Sequence, residues 1–283
     1  MAQRIQGPNM KTAPVFYRNL EEALDARRST QSLTMLRNRE GTIDFSSNDF
    51  LSLSTSGDLR QAFLEELSNN PEFSLGSRGS RLLDGNNTYI ETLENEIAAF
   101  HHAEKALIIS SGYDGNVAIF CAIPRPGDAI VYDELIHASA HDGMKHSLAE
   151  THISFRHNDL DSFEEILISL KESNPPIKAG TRSVLIAVES IYSMDGDVCP
   201  LRELVKIAKS IFPNGNAQFI IDEAHSTGIL GERGRGLVCA LGLEKDIAVR
   251  LHTYGKALSA TGGETQRLSS ALIRQFFTLL FQS

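Results

Sequence analysis

The sequence predicts an α/β fold, a mostly parallel sheet with helices on both faces. Three observations predict it. From residue 87 onward, short apolar runs alternate with stretches of helical period, the pattern of strands joined by covering helices. The apolar runs have strand length, as in Ser183-Val-Leu-Ile-Ala-Val188 and Gln218-Phe-Ile-Ile221. Several of them break at their C-terminal ends into Gly, Ser, Asp or His, where open α/β sheets place ligands.

Bulk properties narrow the function. At 283 residues the chain can bury a large core, in one or two domains. A formal charge of −9 without any basic run argues against nucleic acid and anionic membrane as partners. Cys121, Cys199 and Cys239 are odd in number, far apart and without metal-ligand spacing. They read as reduced thiols in an intracellular protein, and no metal site is expected. No apolar run reaches the roughly 18 residues that span a membrane, and the N terminus lacks the apolar segment of a secretory signal. A cytoplasmic location is expected, with the peroxisome as the alternative although a Ser-Lys-Leu ending is absent.

In chain order, residues 1–14 are polar, and the spacing of Phe16, Leu20 and Leu24 predicts a helix over 15–37. Brief alternation over 42–51 predicts a short strand. Leu59, Phe63, Leu64 and Leu67 predict a helix over 58–68, and residues 76–86 a Gly/Ser loop carrying Arg78 and Arg81. A helix at 88–101 leads into the strand Lys105-Ala-Leu-Ile-Ile-Ser110, then a helix at 114–123. Further strands are expected at 129–132, 153–155, 183–188, 218–221 and 248–252, and helices at 135–147, 159–172 and 201–212. Residues 174–180 read as a surface loop, and Leu268–Leu280 as one more helix.

The candidate chemistry sits at the strand ends. Asp222, in Ile-Ile-Asp222-Glu-Ala-His225-Ser-Thr-Gly228, and Lys256, in Leu251-His-Thr253-Tyr-Gly-Lys256, each follow an apolar run. A lysine in such a crevice can form a Schiff base, and an aspartate can keep a pyridinium nitrogen protonated. That pair is what a pyridoxal phosphate (PLP) enzyme needs. Ser110-Ser-Gly112-Tyr113 opens a helix, so first-turn N–H groups and the helix dipole can bind a phosphate, though an ordinary tight turn has the same residues. His137 heads a helix, where an imidazole can stack on a planar ring or simply cap the helix. Glu189, Ser193 and Asp195 close a further strand, in a loop that is equally an ordinary turn.

Together these segments resemble the α-oxoamine synthase family. The resemblance runs from about Asp44 to Gly263, through Phe-Ser-Ser-Asn-Asp-Phe-Leu (45–51), Gly-Ser-Arg-Gly-Ser-Arg-Leu (76–82), Ser-Gly-Tyr (111–113), Asp-Glu-Leu-Ile-His-Ala-Ser (133–139), Glu-Ser-Ile-Tyr-Ser-Met-Asp-Gly-Asp (189–197), Asp-Glu-Ala-His-Ser-Thr-Gly (222–228) and Thr-Tyr-Gly-Lys-Ala-Leu (253–258). It implies the large domain of a fold-type I PLP-dependent transferase, with an N-terminal helical segment at 1–43 and the PLP-binding domain at 44–283. It implies Lys256 as the Schiff-base residue, Asp222 as the partner of the ring nitrogen, His225 beside the phenolic oxygen and His137 on the ring face. Gly112, Tyr113, Ser193 and Thr253 match positions that hold the phosphate or line the cofactor cleft. The implied reaction is a decarboxylative condensation of an amino acid with an acyl-CoA: L-alanine and a pimeloyl thioester, as in biotin synthesis, or glycine or serine. A homodimer is implied for the complete form.

Departures from the family pattern accompany the matches. Phe50 and Ser52 stand where Tyr and Gly are usual, Ile90 where His is common, and Thr34, with Arg37 nearby, where an arginine meets the acyl chain. Family members continue for more than a hundred residues beyond the lysine, into a small domain that supplies an arginine for the substrate carboxylate. Residues 260–267 do not resemble the apolar continuation expected after the lysine, so the sheet is expected to end there, incomplete, with the small domain missing. Three classes remain open: a synthase, a cofactor-binding chain without activity, and a non-catalytic partner subunit, which the presence of Lys256 disfavours.

Overall fold

The computed structural model describes residues 12–36, 41–74 and 76–267. Arg37 and the helix expected at Leu268–Leu280 lie outside the described residues. The chain divides between Ser46 and Ser47 into two compact units.

In the first unit, α1 (Val15–Ser29) ends earlier than the apolar spacing predicts. Gln31 takes a positive φ of 57°, and the N–H groups of Gln31 and Ser32 bond back to the carbonyls of Arg28 and Arg27. This pair of bonds closes the helix with a left-handed residue just past its end. The strand expected at 42–51 does not form. Short polar side chains take up the backbone instead: Ser46 N–H donates to Asp44 Oδ1 and Asp49 N–H to Ser47 Oγ. Local bonds of this kind compete with a strand ladder.

The second unit carries α2 (Leu53–Ser56), α3 (Asp58–Asn69), α4 (Thr88–Phe100), β1 (Lys105–Ile109), α5 (Gly112–Ala122), β2 (Ala129–Asp133), α6 (Ala138–Lys145), β3 (Thr151–Phe155), α7 (Leu160–Ser173), α8 (Pro175–Lys178), β4 (Val184–Glu189), α9 (Leu201–Ile211), β5 (Ala217–Asp222), α10 (Leu237–Leu241), β6 (Ile247–Thr253) and β7 (Gly263–Arg267). The loop expected at 174–180 is one helical turn, because Asn174 caps it through Ile177 N–H and Pro175 suits a first helical position.

The seven strands form one mixed sheet in the order β1-β7-β6-β5-β4-β2-β3. β3, β2, β4, β5 and β6 run parallel. β7 is antiparallel to both β1 and β6 and fills the place between them. The sheet therefore continues beyond Lys256. Gly-Glu-Thr-Gln-Arg shows no apolar alternation, yet the backbones of β1 and β6 each offer it a ladder, and Glu264, Thr265 and Gln266 are buried. Pairing with two neighbours overrides local propensity here.

Both faces of the central strand β4 are buried, and the pleat explains how. In β4, Val184, Ile186 and Val188 join one apolar cluster with Phe163 and Leu167 of α7 and Leu204 of α9. The alternate residues Leu185 and Ala187 join another with Ile119 and Phe120 of α5 and Met144 of α6. Successive side chains point to opposite faces, so a strand covered on both sides reads as one continuous apolar run. Fully burying a side chain such as Phe163 or Ile186 contributes about 1.5–3 kcal/mol. These two layers fix where the polar strand ends emerge.

Candidate active site

Asp222 is the last residue of β5, and β6 runs beside it to Thr253, three residues before Lys256. Parallel strands in register end together, so the loops after them share one edge. On that edge Lys256 Nζ lies 2.8 Å from His225 Nε2. Burial pushes the Lys256 amine below its ordinary value, against the opposing charges of Asp222 and Glu189. Burial and the neighbouring lysine lower His225 to about 4, so its imidazole is neutral. Where Lys256 donates to it, Nε2 of His225 accepts and the ring proton sits on Nδ1.

Asp222 is held on both sides. Its Oδ1 accepts from Ala224 N–H at 2.9 Å and its Oδ2 from Asn116 Nδ2 at 2.8 Å. Glu189, its register partner on β4, is in a different state. It is 2% exposed, its Oε1 has no hydrogen-bond partner, and burial together with the Asp222 charge raises it to about 8. Glu189 thus keeps its proton at neutral pH beside Asp222.

The remaining candidates surround this pair unequally. Gly112 begins α5 against Thr253: a Cβ on Gly112 would sit 3.0 Å from that of Thr253, so glycine permits the contact. Ser111 caps α5 by accepting from Asp114 N–H, and the other first-turn N–H groups have no partner within the helix. Tyr113 and His137 face each other edge-on, ring centroids 6.2 Å apart, with the Tyr113 hydroxyl bonded to Asp142. His137 caps α6 and is itself exposed, so that helix starts later than the expected 135. Ser193 is exposed in the turn after β4 and, among the described residues, makes no hydrogen bond to the rest of the set.

Sequence reasoning passed over Asn116 and Ser139. Asn116 donates to both Asp222 and Ser139 Oγ (3.0 Å), and Ser139 Oγ lies 2.7 Å from His137 Nδ1. The available signal was a polar residue one helical turn after Gly112, on a helix otherwise rich in apolar residues. Of the departures, Ser52 takes a φ of 54°, a left-handed conformation that favours the glycine usual there and costs another residue about 1–2 kcal/mol. Phe50 lies 6.3 Å from His225, ring to ring. A cavity of about 630 Å³ lies elsewhere, lined by the 69–89 loop with Arg78, so volume alone does not locate this chemistry.

Comparison with known proteins identifies the family and the fold. Residues 40–276 match the family model described as aminotransferase class I and II. Aminoacyl transferase sphA of Aspergillus fumigatus is 57% identical over 278 residues, covering 96% of this chain and 58% of that protein. An 8-amino-7-oxononanoate synthase of Emericella nidulans is 52% identical over 248 residues, covering 86% and 60%. The chain thus spans about three fifths of the length of these relatives. Among solved structures, a serine palmitoyltransferase from S. paucimobilis with a bound PLP–myriocin aldimine superposes with a TM-score of 0.75 at 26% identity, over 94% of this chain and 69% of that one. An 8-amino-7-oxononanoate synthase from Francisella tularensis gives 0.64 at 27% identity, over 84% and 62%.

Proposed function

The chain belongs to the aminotransferase class I and II family, among its α-oxoamine synthases, and from that membership we propose that it holds PLP at Lys256 and joins an amino acid to an acyl thioester with loss of carbon dioxide. The observation that supports this best is the meeting of Lys256, His225 and Asp222 at the ends of β5 and β6. The residues present suit the cofactor. A half-buried amine pushed below its ordinary value is a ready nucleophile toward an aldehyde. An aspartate that accepts from Asn116 and Ala224 can still pair with a ring N–H, since each carboxylate oxygen has two lone pairs. The first-turn N–H groups of α5 suit a phosphate.

When bound, PLP supplies a carbonyl for imine chemistry and a ring that withdraws electrons from the adjacent carbon. The protein's own groups do the rest. Asp222 would pair with the protonated ring nitrogen, His225 would donate from Nδ1 to the phenolic oxygen, and His137 would lie against the ring. Lys256, as a free amine, would take the substrate's α-proton at Nζ and return one to the product.

The amino acid and acyl group are finer questions. L-alanine with a pimeloyl thioester follows from the likeness to the Emericella synthase. A second reading, another amino acid or acyl chain, is favoured by the higher identity to the sphA transferase and by the serine palmitoyltransferase superposition. The test is an assay of the purified chain with PLP, offering alanine, glycine or serine with pimeloyl-CoA or palmitoyl-CoA and measuring thiol release and product mass. Product with alanine and pimeloyl-CoA alone supports the first reading, and product with serine or a long acyl chain the second. Cofactor capture without any product would overturn catalysis while leaving the binding site intact. A homodimer and a cytoplasmic location belong to the same proposal. Among the described residues no helix is long and apolar enough to cross a membrane.

A further inference from the structure

Two residues outside the assigned set connect the two sides of the cleft. Asn116 is 3% exposed and Ser139 fully buried, so neither can exchange its partners for water. The partners dictate the chemistry of the chain they form. Asp222 Oδ2 accepts from the amide nitrogen of Asn116 at 2.8 Å. The second hydrogen on that nitrogen points to Ser139 Oγ at 3.0 Å. Ser139 Oγ, accepting from Asn116, has its own hydrogen left to donate, and His137 Nδ1 lies 2.7 Å away. Ser139 N–H reaches the same Nδ1 at 3.2 Å. Two donors therefore converge on one imidazole nitrogen. That nitrogen carries a lone pair, and the ring proton belongs on Nε2.

We propose that Asn116 and Ser139 are positioning residues that lock His137 in its Nε2–H tautomer and tie its ring orientation to Asp222. The inference deepens the proposed function and rests on it for its purpose: His137 on the ring face and Asp222 at the ring nitrogen then move as one unit. Side-chain order of this kind on buried partners is what keeps reacting groups in register. A purely structural role for Ser139, as part of the α6 cap, needs only the backbone N–H and leaves the hydroxyl and Asn116 without consequence.

The test uses the full chain with 15N-labelled histidine. In the cofactor-free protein, His137 should show an unprotonated Nδ1 and a protonated Nε2. Ser139→Ala should convert this to a mixture of tautomers and weaken PLP binding by about tenfold, the scale of one neutral hydrogen bond, with the melting temperature little changed. Asn116→Asp, isosteric but without donors, should loosen the tautomer although Ser139 is untouched. A protonated Nδ1 in the unsubstituted protein overturns the inference without any variant. An unchanged tautomer and affinity in Ser139→Ala overturns it as well. Failure of the unsubstituted chain to take up PLP would count against the proposed function instead, while the nitrogen spectra still decide this inference.

Discussion

Asp222 and Glu223 are neighbours in sequence and enter opposite worlds. Asp222 turns to the cleft, where both its oxygens are bonded and a lysine, a histidine and a helix N-terminus converge. Glu223 turns to the other face and is wholly buried. Its Oε1 accepts from Val238 N–H and Ser226 Oγ, but its Oε2, 3.5 Å from His252 Nε2, has no hydrogen-bond partner. His101, Glu264 and Arg250 complete that second cluster, with Glu264 Oε2 and Gln266 Oε1 also unpartnered. Burial pushes Glu223 and Glu264 up to about 7 and His101 down to about 4. One ligand atom each from His101, His252 and Glu264 lies within 4.8 Å of the others, a spacing a metal ion could use, yet Arg250 already sets a positive charge against both carboxyls. The buried face thus holds more perturbed acids than the cleft does. Access distinguishes the candidate active site, and the number of shifted groups does not.

The comparison can be broken most decisively at Lys256. Lys256→Ala should abolish borohydride trapping of PLP on the protein and lower any condensation rate by about 10²–10⁴-fold, the span of a lost acid–base group. Peptide mass spectrometry locates the trapped adduct. A trapped lysine elsewhere would move the chemistry out of this cleft.

Gly112→Ala should act on the same side and less strongly. Its Cβ would meet that of Thr253 at 3.0 Å, and overpacking of this kind costs about 1–3 kcal/mol. Cofactor titration followed by absorbance should show weaker binding. Unaltered affinity would mean that the junction of α5 and β6 yields freely.

For the buried acids of both regions together, the expected signal is a dependence on pH. Glu189, Glu223 and Glu264 have folded values raised to about 8, 7 and 7 from an ordinary 4.5. A group raised on folding stabilises fully below its unfolded value, and the contribution fades as pH rises through the folded value. His101 and His225, lowered to about 4, work in the opposite direction, but only up to about their ordinary 6.5. His157, raised because bonds to Asp133 and Asp197 outweigh its burial, follows the carboxyls. Stability should therefore fall between pH 6.5 and 8. Calorimetry should show a declining melting temperature in that window, flattened in Glu223→Gln, Glu264→Gln. A level profile in the unsubstituted chain would show that the buried acids are relieved some other way.

The smallest effect is a control for both faces. Lys178 and Glu172 pair at 2.6 Å with both side chains exposed, and solvent screens such pairs so that they contribute little. Lys178→Ala should leave the denaturation midpoint almost unchanged, and cofactor binding unaltered.

What the sequence determined by itself was whatever depends on local pattern. Apolar runs of strand length and helical spacing marked the parallel strands, most clearly β2, β4 and β5, because covering helices bury the central strands on both faces. Residues after a strand end face the ligand edge whatever the details of packing, and so Asp222, His225 and Lys256 were legible as a group. Tertiary structure alone decided the rest. β7 is a strand because β1 and β6 leave a gap with free backbone groups on each side, a condition no local property of Gly-Glu-Thr-Gln-Arg expresses. The 42–51 stretch, with a better alternating pattern, found no ladder and turned on its own aspartate and serines. Asn116 and Asp222 are 106 residues apart, and Asn116 and Ser139 are 23 apart. Their bonds exist because α5 and α6 pack on one face of the sheet, and spacing along the chain carries no trace of that meeting.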